Sequence, residues 1–447
     1  MPRCKNNPVR NWTQYKDKSL QPTTAISNFE LNPRLLTNLT QLGFTQTTSI
    51  QNQCLPLIFA QKDLLVSSHT GSGKTLAYLI PALNLILSKP VYGTSTRALV
   101  LVPNRELAHQ ILSLANKLIK RTHMRLGLMV GGEAYQFQQA LLRKSPELII
   151  ATPGRFMEHQ SKGHTDTSAL ELLVIDEADR MLELGFCEDV KAIALACNRQ
   201  RQTLLFSATL NTTKVLTVAS HLLRNPVTIE LNASDHVQRN LAQEIIFADN
   251  QHHKERLLVW LLANESASKI LIFCNSRRLV KHLATYLSQQ HHEALALHGE
   301  LAQDERNRIL RLYRQHQFNI LVATEVAARG LDIKGLALII NFDMPRNQND
   351  YLHRIGRTGR ANTKGVAISL VGPNETQLLI RLEQQQRRRF SVRQIKGLTA
   401  RQSNDTQRSP RVNPPIKRTK TTHTAIGDHK QRKINWDGGF APLSRKP

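Results

Sequence analysis

A stretch such as LELLVIDEAD (170–179) leaves few folds open to the chain that carries it. It is one of six short apolar runs between residues 60 and 210; the others are DLLVSS (63–68), RALVLVP (97–103), RLGLMVGG (125–132), ELIIATPGR (147–155) and TLLFSATL (203–210). Their apolar residues are continuous rather than alternating, which predicts strands buried on both faces, hence a parallel sheet covered by helices. Longer segments with helical periodicity separate them. The rhythm stops near Asn225-Pro226 and resumes with KILIFCNS (269–276), EALALHGE (293–300), NILVATEV (319–326), ALIINFDMP (337–345) and GVAISLV (365–371). Two α/β domains joined by the polar stretch LNASDHVQRN are the simplest account. We read an N-terminal extension over 1–28, a first domain over 29–228, a linker over 229–242 and a second domain over 243–386. Sheets of this kind bind ligands at the carboxyl ends of their strands.

Beyond residue 386 the character changes. Residues 387–447 carry 16 Lys/Arg against 3 Asp/Glu, few apolar residues and no sustained periodicity, the signature of a disordered basic tail. That excess of 13 is half of the net charge of +26, from 60 basic and 34 acidic residues. Such a surplus points to a polyanionic partner, with nucleic acid the usual one. A basic surface kept only for solubility is the plainer account. Five cysteines (Cys4, Cys54, Cys187, Cys197, Cys274) show no metal-site spacing and no disulfide framework, which suits a reducing compartment. The first twenty residues have no apolar core, so no signal peptide is expected. LAYLIPALNLIL is too short and interrupted to span a bilayer. The expected location is cytoplasmic, with no membrane association.

SSHTGSGKT (67–75) lies between a predicted strand and a predicted helix, the context that a phosphate-binding loop requires. Ser68, His69, Thr70, Gly71, Ser72 and Gly73 form the loop, and its glycines let backbone N–H groups converge on phosphate oxygens at a helix N-terminus. Lys74 would reach the β- and γ-phosphates, and the Thr75 hydroxyl would ligate Mg²⁺. The strict pattern has Gly where Ser68 stands. A nucleotide-bound Mg²⁺ also calls for a carboxylate from a second strand, and water attack calls for a base beside it. Asp176, at the end of an apolar run, fits the first role, and Glu177 the second. Acidic residues are also ordinary where a strand gives way to a helix, so the pair gains meaning only beside the phosphate loop.

At this point the chain resembles a known family. Asp176-Glu177-Ala178-Asp179 is the signature of the DEAD-box RNA helicases, and that family's motif set follows in order across residues 29–371. Phe29 with GFTQTTSIQ (43–51) is similar to the Q motif. PNRELA (103–108), Gly131-Gly132 and TPGR (152–155) resemble RNA-contacting elements, and SAT (207–209) resembles the coupling element. In the second domain IFCNS (272–276), Gln303 with Arg306, ATEVAARGLD (323–332) and HRIGRTGR (353–360) continue the set. The resemblance implies two RecA-like domains, ATP and Mg²⁺ as cofactors, and structured RNA, ribosomal precursors or mRNA, as partner. It implies that Gln51 and Phe29 hold adenine, Asp332 touches the ribose, and Arg357 and Arg360 act as arginine fingers. Ser207, Thr209 and His353 would couple hydrolysis to closure. Pro103, Arg105, Gly131, Gly132, Thr152, Pro153, Gly154, Arg155, Ser276, Arg277 and Thr324 would contact RNA.

The departures are Thr47 for Pro, His69 for Gln, Asn104 for Thr and Glu325 for Asp; none removes a catalytic charge. With aromatics at 5% of the chain, backbone contacts rather than base stacking are the expected mode of RNA binding. The implied activity is ATP-dependent local unwinding of RNA, most like the bacterial ribosome-assembly branch, with ribosome-assembly proteins as further partners. An ATP-gated RNA clamp and a DNA translocase are the rival readings.

Overall fold

The computed structural model describes residues 12–14, 23–68, 71–91, 95–210, 213–230, 241–328, 336–358, 365–386 and 388–401. Eight strands form the first sheet: β1 Thr13–Gln14, β2 Leu64–Ser67, β3 Ala98–Leu101, β4 Leu126–Met129, β5 Leu148–Ala151, β6 Leu172–Ile175, β7 Gln202–Ser207 and β8 Val227–Glu230. Their order is β1-β8-β2-β7-β6-β3-β5-β4, and every pairing is parallel. Seven more form the second: β9 Leu241–Phe247, β10 Ile270–Cys274, β11 Ala294–Leu297, β12 Ile320–Thr324, β13 Leu338–Asn341, β14 Gly365–Val371 and β15 Ser391–Val392. Here the order is β11-β12-β10-β13-β14-β9-β15, again parallel throughout.

All eleven apolar runs named from the sequence are strands, and successive residues of each run serve different cores. In β2, Leu64 and Val66 pack on one side of the sheet while Leu65 packs on the other. In β10, Ile270, Ile272 and Cys274 join one layer while Leu271 and Phe273 join the opposite one. A strand covered on both faces has no solvent side to carry polar residues, so the runs are unbroken. The two sheets belong to one compact unit.

Four strands escaped the sequence reading. β9 starts inside an alternating stretch and pairs with β14 over its full seven residues. β1 and β15 have two residues each, and β8 follows Asn225-Pro226 directly. The first fold unit therefore reaches further toward the N-terminus than residue 29: Trp12 packs on its core, and Ile26 is only 1% exposed.

The expected start of the disordered tail at 387 is corrected as well. Residues 388–401 lie along the second domain, with Phe390 and Ile395 buried and β15 parallel to β9. Arg393 bridges Glu244 at 3.3 Å and Glu265 at 2.6 Å, and His253 Nε2 meets the Leu398 carbonyl at 3.0 Å. Two buried apolar residues among many cations carry too little compositional weight to announce themselves. Residues 402–447 lie outside the described residues, as does 231–240, the core of the expected linker.

Candidate nucleotide site and nucleic-acid interface

β2 runs into the glycine-rich loop, and the helix Lys74–Ser88 begins at its end. Gly73 caps this helix at φ +97°, and a Cβ there would stand 2.7 Å from both Gln51 Nε2 and Thr48 Oγ1. Only glycine fits both the backbone and the space. Gln51 is buried, accepts the Thr48 N–H through Oε1 at 2.9 Å and donates Nε2 to the Gly73 carbonyl at 3.0 Å. The residue expected to hold adenine thus also ties its own helix to the phosphate loop. Lys74 Nζ donates to the Ser68 carbonyl at 2.9 Å, and the Ser68 and Ser72 hydroxyls are 3.0 Å apart, so the loop is closed by its own side chains. Phe29 lies 6.1 Å from the Phe59 ring. His69 and Thr70 are outside the described residues.

β6 is followed directly by Asp176, which is 3% exposed. Its Oδ2 accepts the Tyr78 hydroxyl at 2.9 Å and its Oδ1 the Glu177 N–H at 2.9 Å. Burial pushes the Asp176 carboxyl above the usual range, and the Lys74 ammonium opposes that rise. Glu177 occupies the left-handed region at φ +53°, unusual for a side chain of its kind and a local strain at the head of the helix Ala178–Glu183. Burial also raises Asp179, to about 6, again against Lys74. Asp179 Oδ2 accepts the Ala208 N–H at 3.2 Å. Ser207 Oγ donates to the Thr209 carbonyl at 2.7 Å and accepts the Thr209 N–H at 3.2 Å, while the Ser207 carbonyl takes the Ser68 N–H at 3.0 Å. Because β7 lies between β2 and β6, the SAT segment touches the phosphate loop on one side and Asp179, two residues past the acidic pair, on the other.

The second domain faces this site with the helix Gln348–Ile355 and the turn after it. Burial pushes His353 down to about 3, helped by the positive charges of Arg357, Lys74 and Arg180. Two of those three cations belong to the first domain, so this turn and the phosphate loop confront one another across the cleft. Arg357 is 8% exposed. Arg354, which the sequence reading passed over, is the hub behind it. Its guanidinium reaches Glu325 at 3.1 Å, the Asp343 carbonyl at 2.7 Å and Asn275 at 2.8 Å, and lies over the Phe273 ring. Nothing local marks Arg354, since its partners come from three separate segments. Tyr78 was missed for the same reason. Arg360 and Asp332 lie outside the described residues.

The expected RNA contacts gather on one flank of each sheet. Pro103, Arg105, Gly131, Gly132, Thr152, Pro153, Gly154 and Arg155 follow β3, β4 and β5, the three strands at one edge of the first sheet. Ser276, Arg277 and Thr324 stand at the ends of β10 and β12 in the second. Three helices begin at these strand ends: Arg105–Leu118, capped by Asn104; Pro153–Ser161, with Pro at its first position; and Arg277–Gln289, capped by Ser276. Helix N-termini present N–H groups and positive potential, which suits phosphates. Gly131 is open, while a Cβ on Gly132 would stand 2.5 Å from Arg105 Nη1. Arg155 is held by Glu158 at 3.1 Å and Arg277 by Glu300, so these two cations are shared with ion pairs of the protein. Glu106 and Arg306, 2.8 Å apart, join the two domains beside this flank; the Nε–H is not aimed at the carboxylate, which makes the contact an ion pair rather than an aligned hydrogen bond.

Two parallel-sheet domains, one with a glycine-rich loop and an acidic strand end and the other facing it with the turn that follows His353, have the paired RecA-like architecture of nucleoside-triphosphate-driven machines. The DEAD/DEAH box helicase family matches residues 48–218 and the helicase conserved C-terminal domain matches 252–362. The chain belongs to the DEAD-box RNA helicase family. It is 40% identical to the ATP-dependent RNA helicase SrmB of Escherichia coli K12 over 80% of each chain, and 36% identical to SrmB of Haemophilus influenzae over 87% of each. Among solved structures it is similar to Saccharomyces cerevisiae Dbp5 bound to RNA and ADP BeF3, with a TM-score of 0.75 and 27% identity, covering 83% of this chain and 95% of that one. Among the described residues no helix is long and apolar enough to cross a membrane.

Proposed function

We propose that this chain is an ATP-dependent RNA helicase that couples ATP binding and hydrolysis to local, non-processive remodelling of structured RNA, in the course of large-subunit ribosome assembly in the cytoplasm. The observation that carries the reading is that the two domains meet, with Glu106 and Arg306 2.8 Å apart and His353 of the second domain in the field of Lys74 and Arg180 of the first. Phosphoryl transfer is catalysed by positioning and by charge placed on the transition state, so a site divided between two domains hydrolyses only when they close. In this mechanism Lys74 leaves the Ser68 carbonyl for the β- and γ-phosphates. Glu177 accepts the proton of the attacking water. Arg357 and Arg360 supply positive charge from the second domain, a contribution worth ~10³–10⁵ in rate where such fingers have been measured. Asp179, through the Ala208 N–H, relates the acidic pair to the SAT segment that would report closure.

The donor set fits Mg²⁺. Thr75 and Asp176 offer hard oxygens, and the buried Asp176 carboxylate, pushed up by desolvation, gains from a nearby cation. When bound with ATP, the ion would neutralise charge on the phosphates. Phosphate contacts along β3, β4 and β5 and along β10 and β12 would hold an RNA strand across both domains, so ATP and RNA each favour closure and each strengthens the other's binding. The ribosome-assembly assignment is supported by the likeness to SrmB over four-fifths of the chain and by the basic residues after 386.

ATP hydrolysis measured alone, with single-stranded RNA and with matched DNA tests this reading. RNA should stimulate it strongly and DNA weakly, and Glu177→Gln should abolish the stimulated rate by ~10²–10⁴. Equal stimulation by DNA would favour a translocase. Stimulation by RNA with no separation of short duplexes would favour a clamp.

A further inference from the structure

Among the described residues, Phe137 is the one Phe, Tyr or Trp that is exposed, at 68%. A lone exposed apolar residue is ordinary; the framework that holds this one is not. Phe137 lies in the first turn of the helix Tyr135–Leu142, which begins three residues after Gly131-Gly132. Its neighbour Gln138 is 1% exposed and is bonded to two of the first domain's three candidate RNA elements. Gln138 Nε2 donates to the Val130 carbonyl at 2.8 Å, immediately before the glycine pair. Gln138 Oε1 meets Arg155 Nη1 at 3.4 Å and His159 Nε2 at 3.2 Å, both on the helix that starts in TPGR. Three residues before Gln138, Tyr135 stacks on His159 with ring centroids 4.2 Å apart and planes 6° from parallel. Lys162 Nζ stands 4.3 Å and Arg155 Cζ 5.6 Å from the Tyr135 centroid. Successive helical side chains point about 100° apart, so burying Gln138 in this lock turns Phe137 outward. The result is an aromatic face exposed on the helix that follows the glycine pair, with the backbone beneath it held by Gln138 and Tyr135.

We propose that Phe137 is a stacking platform for a base of the bound RNA strand, at the edge of the first domain's phosphate contacts. The inference rests on the RNA-binding reading above and adds a base-directed contact to a groove that otherwise offers backbone contacts. Stacking on an aromatic ring needs only a π-face, so the contact would be indifferent to sequence but would require a base. A protein partner would not share the surrounding preference for phosphate.

The test uses the full chain, a non-hydrolysable ATP analogue and fluorescence anisotropy with two labelled single-stranded RNAs, one normal and one with a run of abasic nucleotides. Phe137→Ala should weaken the normal strand by roughly five- to twentyfold and leave the abasic strand nearly unchanged, consistent with the worth of one stacked base. Phe137→Trp should restore the affinity, and Phe137→Leu, apolar but not aromatic, should not. Equal affinities of wild type and Phe137→Ala for the normal strand would overturn the proposal, as would an equal loss on both strands. Failure of the wild type to bind either RNA would instead remove the RNA reading itself, and this inference with it.

Discussion

The Tyr78 hydroxyl, fully buried beneath the phosphate loop, donates to Asp176 Oδ2 across 2.9 Å. The Tyr78 ring is braced against Phe206 of β7 with centroids 5.4 Å apart. Removing only the hydroxyl, by Tyr78→Phe, leaves a buried carboxylate short of a donor. The expected cost is about 1–3 kcal/mol of unfolding free energy, read from urea midpoints. An unchanged midpoint would mean that the bond contributes nothing net.

Glu106 and Arg306 come from different domains and are 14% and 6% exposed, so their attraction is only partly screened. A double-mutant cycle of Glu106→Gln and Arg306→Gln should show a coupling of about 0.5–3 kcal/mol in RNA affinity with the ATP analogue present. Without nucleotide, the coupling should shrink if the pair serves the closed arrangement. A cycle with no coupling in either state would reduce the pair to incidental proximity.

His353 and Glu325 oppose each other in their response to pH. Burial, with Arg357, Lys74 and Arg180, lowers His353 to about 3. Below its ordinary value of 6.5 the unfolded chain binds a proton that the folded chain refuses, so this contribution to stability is complete above pH 6.5 and is lost progressively toward pH 3. Burial, against Arg354 and aided by Asp350, raises Glu325 to about 8. The folded chain keeps a proton that the unfolded chain releases, so stability falls as pH rises from 4.5 to 8. Melting temperatures between pH 5 and 8 should therefore show a shallower acid-side loss for His353→Gln and a shallower alkaline-side loss for Glu325→Gln.

Phe390 is 4% exposed and lies 5.4 Å from the Tyr351 ring, in a segment whose composition resembles a loose tail. Phe390→Ala should cost about 3 kcal/mol, as large-to-small changes in a packed core do. Truncation after residue 401 should be nearly neutral for melting, whereas truncation after 386 should not.

The legible parts of the molecule were those whose physics is local or periodic. Eleven strands could be read because burial on both faces demands unbroken apolar runs. The phosphate loop could be read because its glycines, lysine and threonine serve one ligand over nine residues. β9 could not, because its first residues alternate: Gln243 is buried, and its Oε1 accepts the Tyr351 hydroxyl at 2.9 Å, a partner 108 residues away. The segment 388–401 was hidden by the cations around its few apolar anchors.

By itself, then, the sequence determined two parallel sheets, a nucleotide loop, an acidic strand end and a strongly basic character, since each follows from neighbours along the chain. Only the tertiary structure decided that Tyr78 serves Asp176, that Gln51 holds Gly73, that Arg354 organises the second domain's face and that Glu106 meets Arg306. These pairings join residues from 11 to about 200 positions apart. The free energy of a buried hydrogen bond or ion pair depends on which partner folding brings within about 3 Å, and no pattern along a single chain encodes that distance.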